Sequence, residues 1–175
     1  MNRLFIFIMA FSLPLLWSCK IDEKAKLINE IKEKKQSLAE KSAQKPANKK
    51  EVKALINLYE QFYRTYPKDT LVADYMMDAG QNAMHRGMYD KAVQCFDIVE
   101  TDFSGTSQYD MAVFMKAFTY DQANDTARAR VYYKKFIREF PKHKLADDAL
   151  ISLQNLGKSL EDIVKDLDQK KKQSK

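Results

Sequence analysis

The stretch Ala129-Arg130-Val131-Tyr132-Tyr133-Lys134-Lys135-Phe136-Ile137-Arg138-Glu139-Phe140-Pro141 places apolar residues at three- and four-residue spacing and closes on a proline. It therefore reads as one amphipathic helix with a fixed stop, because the pyrrolidine ring clashes with a continuing turn. The phrase recurs upstream at an interval of 37 residues. Five series keep or nearly keep their residue class: Leu55, Ala92, Ala129; Tyr59, Phe96, Tyr133; Phe62, Val99, Phe136; Tyr66, Phe103, Phe140; and Pro67, Ser104, Pro141. A period of this size marks stacked helical hairpins, none of which buries its apolar face alone. The expected fold is an all-α solenoid of about three hairpins.

Outward from the repeats, helical periodicity holds from Glu51 to about Leu167, with no segment reading as a strand. Val52, Leu55, Ile56, Tyr59, Phe62, Tyr63 and Tyr66 line one helical face that ends at Pro67. Asp69 or Thr70 is placed to cap the next helix, running to about Arg86 before Gly87, and a partner helix spans Tyr89 to Phe103. Further helices are expected from about Ser107 to Ala123, Thr126 to Phe140 and Leu145 to Leu156. Ser159 and Asp162 resemble a capping box for a last helix.

The N-terminus has a different texture. Asn2 and Arg3 precede an apolar run from Leu4 to Trp17, too short for a stable membrane-spanning helix and placed as a signal peptide over residues 1–18. Residues 19–50 are charged, with Pro46 the one proline, and read as a tether with partial helical character. Ile21, Ile28, Ile31 and Leu38 fall at heptad-like spacing, which leaves a short self-associating coiled coil as the alternative. The repeat domain is then residues 51–168, and the lysine-rich residues 169–175 form a disordered basic tail.

Composition narrows the function classes. The chain has 30 Lys and Arg against 24 Asp and Glu, a net +6, with the two signs interspersed and no basic groove interleaved with aromatic residues. Nucleic acid is a poor partner on that pattern. Of the two cysteines, Cys19 stands at the end of the signal region and Cys95 falls on an apolar repeat position, so no disulfide framework is expected. His85 and His143 are the only histidines, lack a second ligand at metal spacing, and read as surface residues. Asp147 and Asp148 are adjacent, so on a helix they point about 100° apart, and Asp147 reads as a helix cap. Four unclustered glycines make no phosphate-cradling loop, and no nucleophile has a base, so no enzyme is expected and no cofactor beyond a covalent lipid on Cys19.

Two resemblances follow from these residues. Ala92 to Phe96 and Ala129 to Tyr133 give Ala-x-x-x-aromatic, the preceding helix supplies Gly80 and then Ala117, and Gly87-Met88-Tyr89 matches an inter-helix turn. Together they resemble the tetratricopeptide repeat over about residues 51–160, with the extra residues of the longer period falling after the proline. Phrases such as Leu145-Ala146-Asp147-Asp148-Ala149 are similar to the repeat domains of the Tol-Pal system coordinator and of the lipoprotein of the outer-membrane β-barrel assembly machine. Leu16-Trp17-Ser18-Cys19 resembles a bacterial lipobox, which implies acylation of Cys19 and a bacterial outer-membrane location. A periplasm-facing orientation is the default and surface exposure the alternative. Three hairpins are fewer than the assembly lipoprotein carries.

In the repeat family the first helix of each hairpin lines a concave face. The matching residues here are Met77, Gln81, Met84, His85, Met111, Phe114, Phe118 and Gln122, flanked by Asp74 and Asp121. All six methionines beyond the signal region lie between Met76 and Met115, and adaptable thioethers suit a groove for partner segments of varied sequence. The resemblance implies a protein-binding adaptor in the envelope, with other envelope proteins or peptides as partners. The alternatives are that the N-terminal or last helix packs in the groove, that Met76, Met88 and Met115 are simply core, that the chain self-associates through residues 21–38, or that it is a surface ligand-binding lipoprotein.

Overall fold

The computed structural model describes residues 13–42, 48–159, 161–165 and 169, with side chains over 22–41, 48–159, 161–165 and 169. The lipobox side chains, Ile21 and the basic tail from Lys170 lie outside the described residues. The chain divides after Thr65 into two compact units.

The first unit holds α1 (Leu13–Ser42) and α2 (Lys49–Thr65), which pack on one another. Leu27, Ile31 and Leu38 are buried on one stripe of α1, and Ile28 is half-buried beside them. The stretch expected as a tether is thus helical through Ser42, and its apolar stripe is used within the chain. Leu27, absent from the heptad reading, shares the stripe because i, i+4 and i+11 fall on one helical face. No described helix is long and apolar enough to cross a membrane. α2 opens on a capping box: the Glu51 N–H donates to Asn48 Oδ1 at 3.0 Å, and the Asn48 N–H donates to Glu51 Oε2 at 3.2 Å. The Asn-x-x-Glu spacing was legible at that point. Val52, Leu55, Ile56, Tyr59 and Phe62 are buried along α2, and the helix ends at Thr65, just before Tyr66-Pro67.

The second unit is a stack of α3 (Leu71–Met84), α4 (Tyr89–Asp102), α5 (Tyr109–Gln122), α6 (Thr126–Glu139) and α7 (Ala146–Asn155). Each helix packs on the next in chain order, and α5 also touches α3. The described residues contain no strand. The repeat is written in the backbone as well as in the side chains. The N–H of Asp69, Thr106 and His143 donates to the carbonyl of Tyr66, Phe103 and Phe140 respectively, each at 3.0 Å. A second turn follows at once in all three loops, from Val72, Tyr109 and Ala146 back to Asp69, Thr106 and His143. Two consecutive turns account for the longer loop that the 37-residue period requires.

The hairpin turns repeat too. Gly87 and Asn124 both have positive φ, +66° and +58°, one period apart. Each closes its helix with the same two bonds, Met88 to Ala83 and Gly87 to Met84, then Asp125 to Tyr120 and Asn124 to Asp121. This is the Schellman pattern, which satisfies carbonyls that a helix end would leave orphaned. α7 begins one full period after α5, yet its turn residue Gly157 comes four residues early. The third hairpin has therefore lost one helical turn.

The repeat series identified in the sequence are the core. Tyr59, Phe96 and Tyr133 are fully buried, as are Phe62, Val99 and Phe136. Gly80 is small for a contact reason: a Cβ there would lie 2.6 Å from Phe96 Cζ, inside any tolerable approach. Ser159 and Asp162 form the expected capping box, with Asp162 N–H on Ser159 Oγ at 3.1 Å and Ser159 N–H on Asp162 Oδ2 at 3.2 Å. Asp147 does not cap α7; the N-cap is Leu145, whose N–H donates to His143 Nδ1 at 3.1 Å. His143 is likewise not a surface residue. Its ring lies edge-on to Phe136 at 5.2 Å and its Nε2 stands 3.4 Å from Asp110 Oδ2.

Candidate partner-binding face

Helix α5, Tyr109-Asp-Met-Ala-Val-Phe-Met-Lys-Ala-Phe-Thr-Tyr-Asp-Gln122, is apolar around most of its circumference. A helix of that kind is either covered on all sides or presents an apolar face outward. Ala112, Val113, Lys116, Ala117, Thr119 and Tyr120 are buried on one side. Met111, Met115 and Phe118, at i, i+4 and i+7, share the opposite arc and are only partly buried, with exposed Gln122 continuing it.

One period earlier the same arc on α3 is Asp74, Asp78, Gln81 and His85, which is polar. The face is therefore a single apolar rib on α5 beside a polar, acidic rib on α3. Gln108 Nε2 donates to Asp74 Oδ1 at 2.5 Å and ties the start of α5 to α3.

The eight residues expected to line the groove divide into two columns. Met77 and Met84 are buried, with 7% and 6% of their surface left, and the ring of Phe114 packs edge-on to Phe136 and Tyr133 at 5.3 and 6.2 Å. These three point inward. Gln81, His85, Met111, Phe118 and Gln122 keep exposure and lie on the outward arc. Met115 belongs with them and was missed, although its i+4 spacing from Met111 was the available signal.

What holds α5 in place is a charge cluster around the buried ammonium of Lys116. Lys116 Nζ donates to Glu100 Oε2 at 2.7 Å and pairs with Asp97, both on α4, while Lys135 of α6 takes the other Glu100 oxygen. Burial alone would lower the Lys116 pKa, but the bonds to Asp97 and Glu100 and the contact with Tyr132 outweigh it and push it up. The ammonium also sits 4.1 Å from the Tyr132 ring centroid, Tyr132 stacks on Tyr120 at 5.5 Å, and Arg128 covers Tyr120 at 4.5 Å. This ladder locks α4, α5 and α6 together behind the rib.

Two shallow, open depressions lie on the described surface. One, of about 420 Å³, lies between α1 and α2 and is lined by Glu30, Glu33, Lys34, Ser37, Ala54 and Leu58. The other, of about 590 Å³, lies at the third hairpin, where Asp121, Asn124, Ser152 and Asn155 meet Ile151 and Ile163. Asp121 accepts from the Tyr133 hydroxyl at 3.3 Å, and burial raises its pKa against that bond. None of the eight groove residues lines either depression, so the candidate surface is an open face. Cys95 is buried among the core residues.

No curated protein matches the chain significantly. A protein-family model described as an outer membrane lipoprotein, YfiO, matches residues 72–172, which include α3 to α7, the apolar rib and both Schellman turns. The match covers more than half of the sequence and all but the first two helices of the fold, and on that ground the chain belongs to the YfiO outer membrane lipoprotein family.

Proposed function

We propose that this protein is a non-enzymatic, lipid-anchored adaptor of the bacterial envelope that captures segments of other envelope proteins on the α3–α5 face. The observation that carries the reading is the outward arc of α5. A monomeric helix gains nothing from displaying Met111, Met115 and Phe118 together, and a partner would bury them. The acidic and amide side chains of the α3 arc supply the polar rim that protein interfaces use around an apolar centre. Membership of an outer membrane lipoprotein family supports the envelope location, and Cys19 is the residue to which lipid would be attached.

Site-specific photocrosslinking in the native envelope tests the face. A photoreactive residue at Phe118 or Met115 is expected to give the same defined adduct, and one at Lys134 on α6 is not. The adduct should disappear in Met111→Glu with its circular dichroism unchanged. Equal adducts from all three sites, or none from any, would remove the reading. For the anchor, Cys19→Ser should move the protein out of the membrane fraction and abolish palmitate incorporation; unchanged fractionation with no labelling would refute lipid attachment there.

A further inference from the structure

The exposed side of α6 has no role in the partner face and no role in the core. α6 has five basic residues, Arg128, Arg130, Lys134, Lys135 and Arg138, against one acid, Glu139. Two of the cations face other parts of the protein: Arg128 pairs with Asp125 and covers Tyr120, and Lys135 pairs with Glu100. The other three, Arg130, Lys134 and Arg138, are spaced i, i+4 and i+8, which sets them on one stripe, and all are exposed. Glu139 pairs with Arg138 at 3.3 Å and accepts from the Tyr109 hydroxyl at 3.1 Å, so it offsets one of the three charges and leaves the stripe a net positive face. Val131 lies on the same side with 62% of its surface exposed, and the loop after the helix adds exposed Lys142 and Lys144.

The repeat does not demand this stripe. One period earlier the same positions are Val93, Asp97 and Thr101 on α4. Cations around a small exposed apolar residue are the composition of a helix face that rests on an anionic bilayer.

We propose that this face of α6 docks on an anionic phospholipid surface, with Arg130, Lys134 and Arg138 contacting headgroup phosphates and Val131 entering the interface. The proposal stands apart from the α5 reading and draws on family membership only for the nearness of a membrane. The occupant follows from charge: three exposed cations on one stripe, with Lys142 and Lys144 beside its end, present a positive surface that an anionic headgroup plane complements over its whole length. Each basic residue at an anionic surface strengthens binding by roughly fivefold (about 1 kcal/mol), so the three together are worth about a hundredfold.

The test places an environment-sensitive fluorophore at Val131→Cys in a Cys19→Ser chain, Cys95 being buried and unlabelled. Equimolar phosphatidylglycerol–phosphatidylcholine vesicles should shift its emission to the blue at low salt, and phosphatidylcholine vesicles should not. The triple variant Arg130→Gln, Lys134→Gln, Arg138→Gln should need about a hundredfold more lipid with its circular dichroism unchanged. The proposal is overturned if the probe ignores anionic vesicles, if the triple variant responds like the parent, or if deleting residues 169–175 alone abolishes the response. A response to polyglutamate in place of vesicles would reassign the stripe to an acidic protein segment and overturn the lipid assignment.

Discussion

Lys116, with 4% of its surface exposed, donates to Glu100 at 2.7 Å across the α4–α5 interface. The pair is completed by Asp97 and Lys135, so one cluster, closed at Lys116 and Glu100 and open to solvent at Asp97, joins three helices. Removing one member of such a cluster costs more than the pair contributes, because the remaining charge stays buried. Lys116→Met should lower stability in urea unfolding by about 3 kcal/mol, and adding Glu100→Gln should cost less than the two changes separately. A loss under about 1 kcal/mol would show the cluster behaving as a surface pair.

The same contact sets an acid limit. Burial raises the Glu100 pKa, but the hydrogen bonds from Lys116 and Lys135 outweigh it and hold it below its ordinary value of 4.5. A carboxyl group lowered in the folded state contributes stability that is present above that value and is lost as pH falls through the folded pKa. Glu100→Gln should therefore flatten the decline in stability below about pH 4.5 while leaving the slope between pH 6 and 8 unchanged. An undiminished acid decline in the variant would assign it to other carboxylates.

Gly80 faces the fully buried ring of Phe96, and a methyl group there would stand 2.6 Å from Cζ and 2.8 Å from Cδ1. The ring must shift within the core to admit it. Gly80→Ala should cost about 1–3 kcal/mol despite the better helix propensity of alanine. Phe96→Leu in that background should return part of the loss. If Gly80→Ala raised the melting temperature, the close approach would not be what keeps the position small.

Asn124 holds φ at +58° in the turn where the preceding repeat has Gly87. A side chain in the left-handed region costs about 1 kcal/mol, less for asparagine than for most residues. Asn124→Gly should raise stability by a few tenths to about 1 kcal/mol, and Gly87→Val should lower it by about 1–2 kcal/mol. Thermal unfolding of the two variants checks both signs.

Much of the fold was legible because the repeat writes each structural demand more than once. Tyr59, Phe96 and Tyr133 announced buried positions by recurring, and Gly87 with Gly157 announced turns by being glycine. The Asn48 capping box was equally available and passed unnoticed. The groove was harder to read. The family pattern names the first helix of each hairpin but does not say how far each helix is rotated, and at 100° per residue a small rotation exchanges Phe114 for Met115. His143 misled for a related reason: a loop residue is held inside only if something packs over it, here Phe136 and Asp110.

The sequence by itself determined that this chain is a helical-hairpin repeat with a 37-residue period, where its helices stop, and which aromatic positions form its core. Those properties follow from spacing and from residues with one physical use, such as proline after a helix or glycine at positive φ. Only the tertiary structure decided that Lys116 lies inside, that Met77 and Met84 are buried while Met111, Met115 and Phe118 keep part of their surface, and that α6 keeps three cations on one exposed stripe. Each of these depends on which neighbouring helix covers which arc, and that contact is made between residues far apart in the chain, where no local pattern records it.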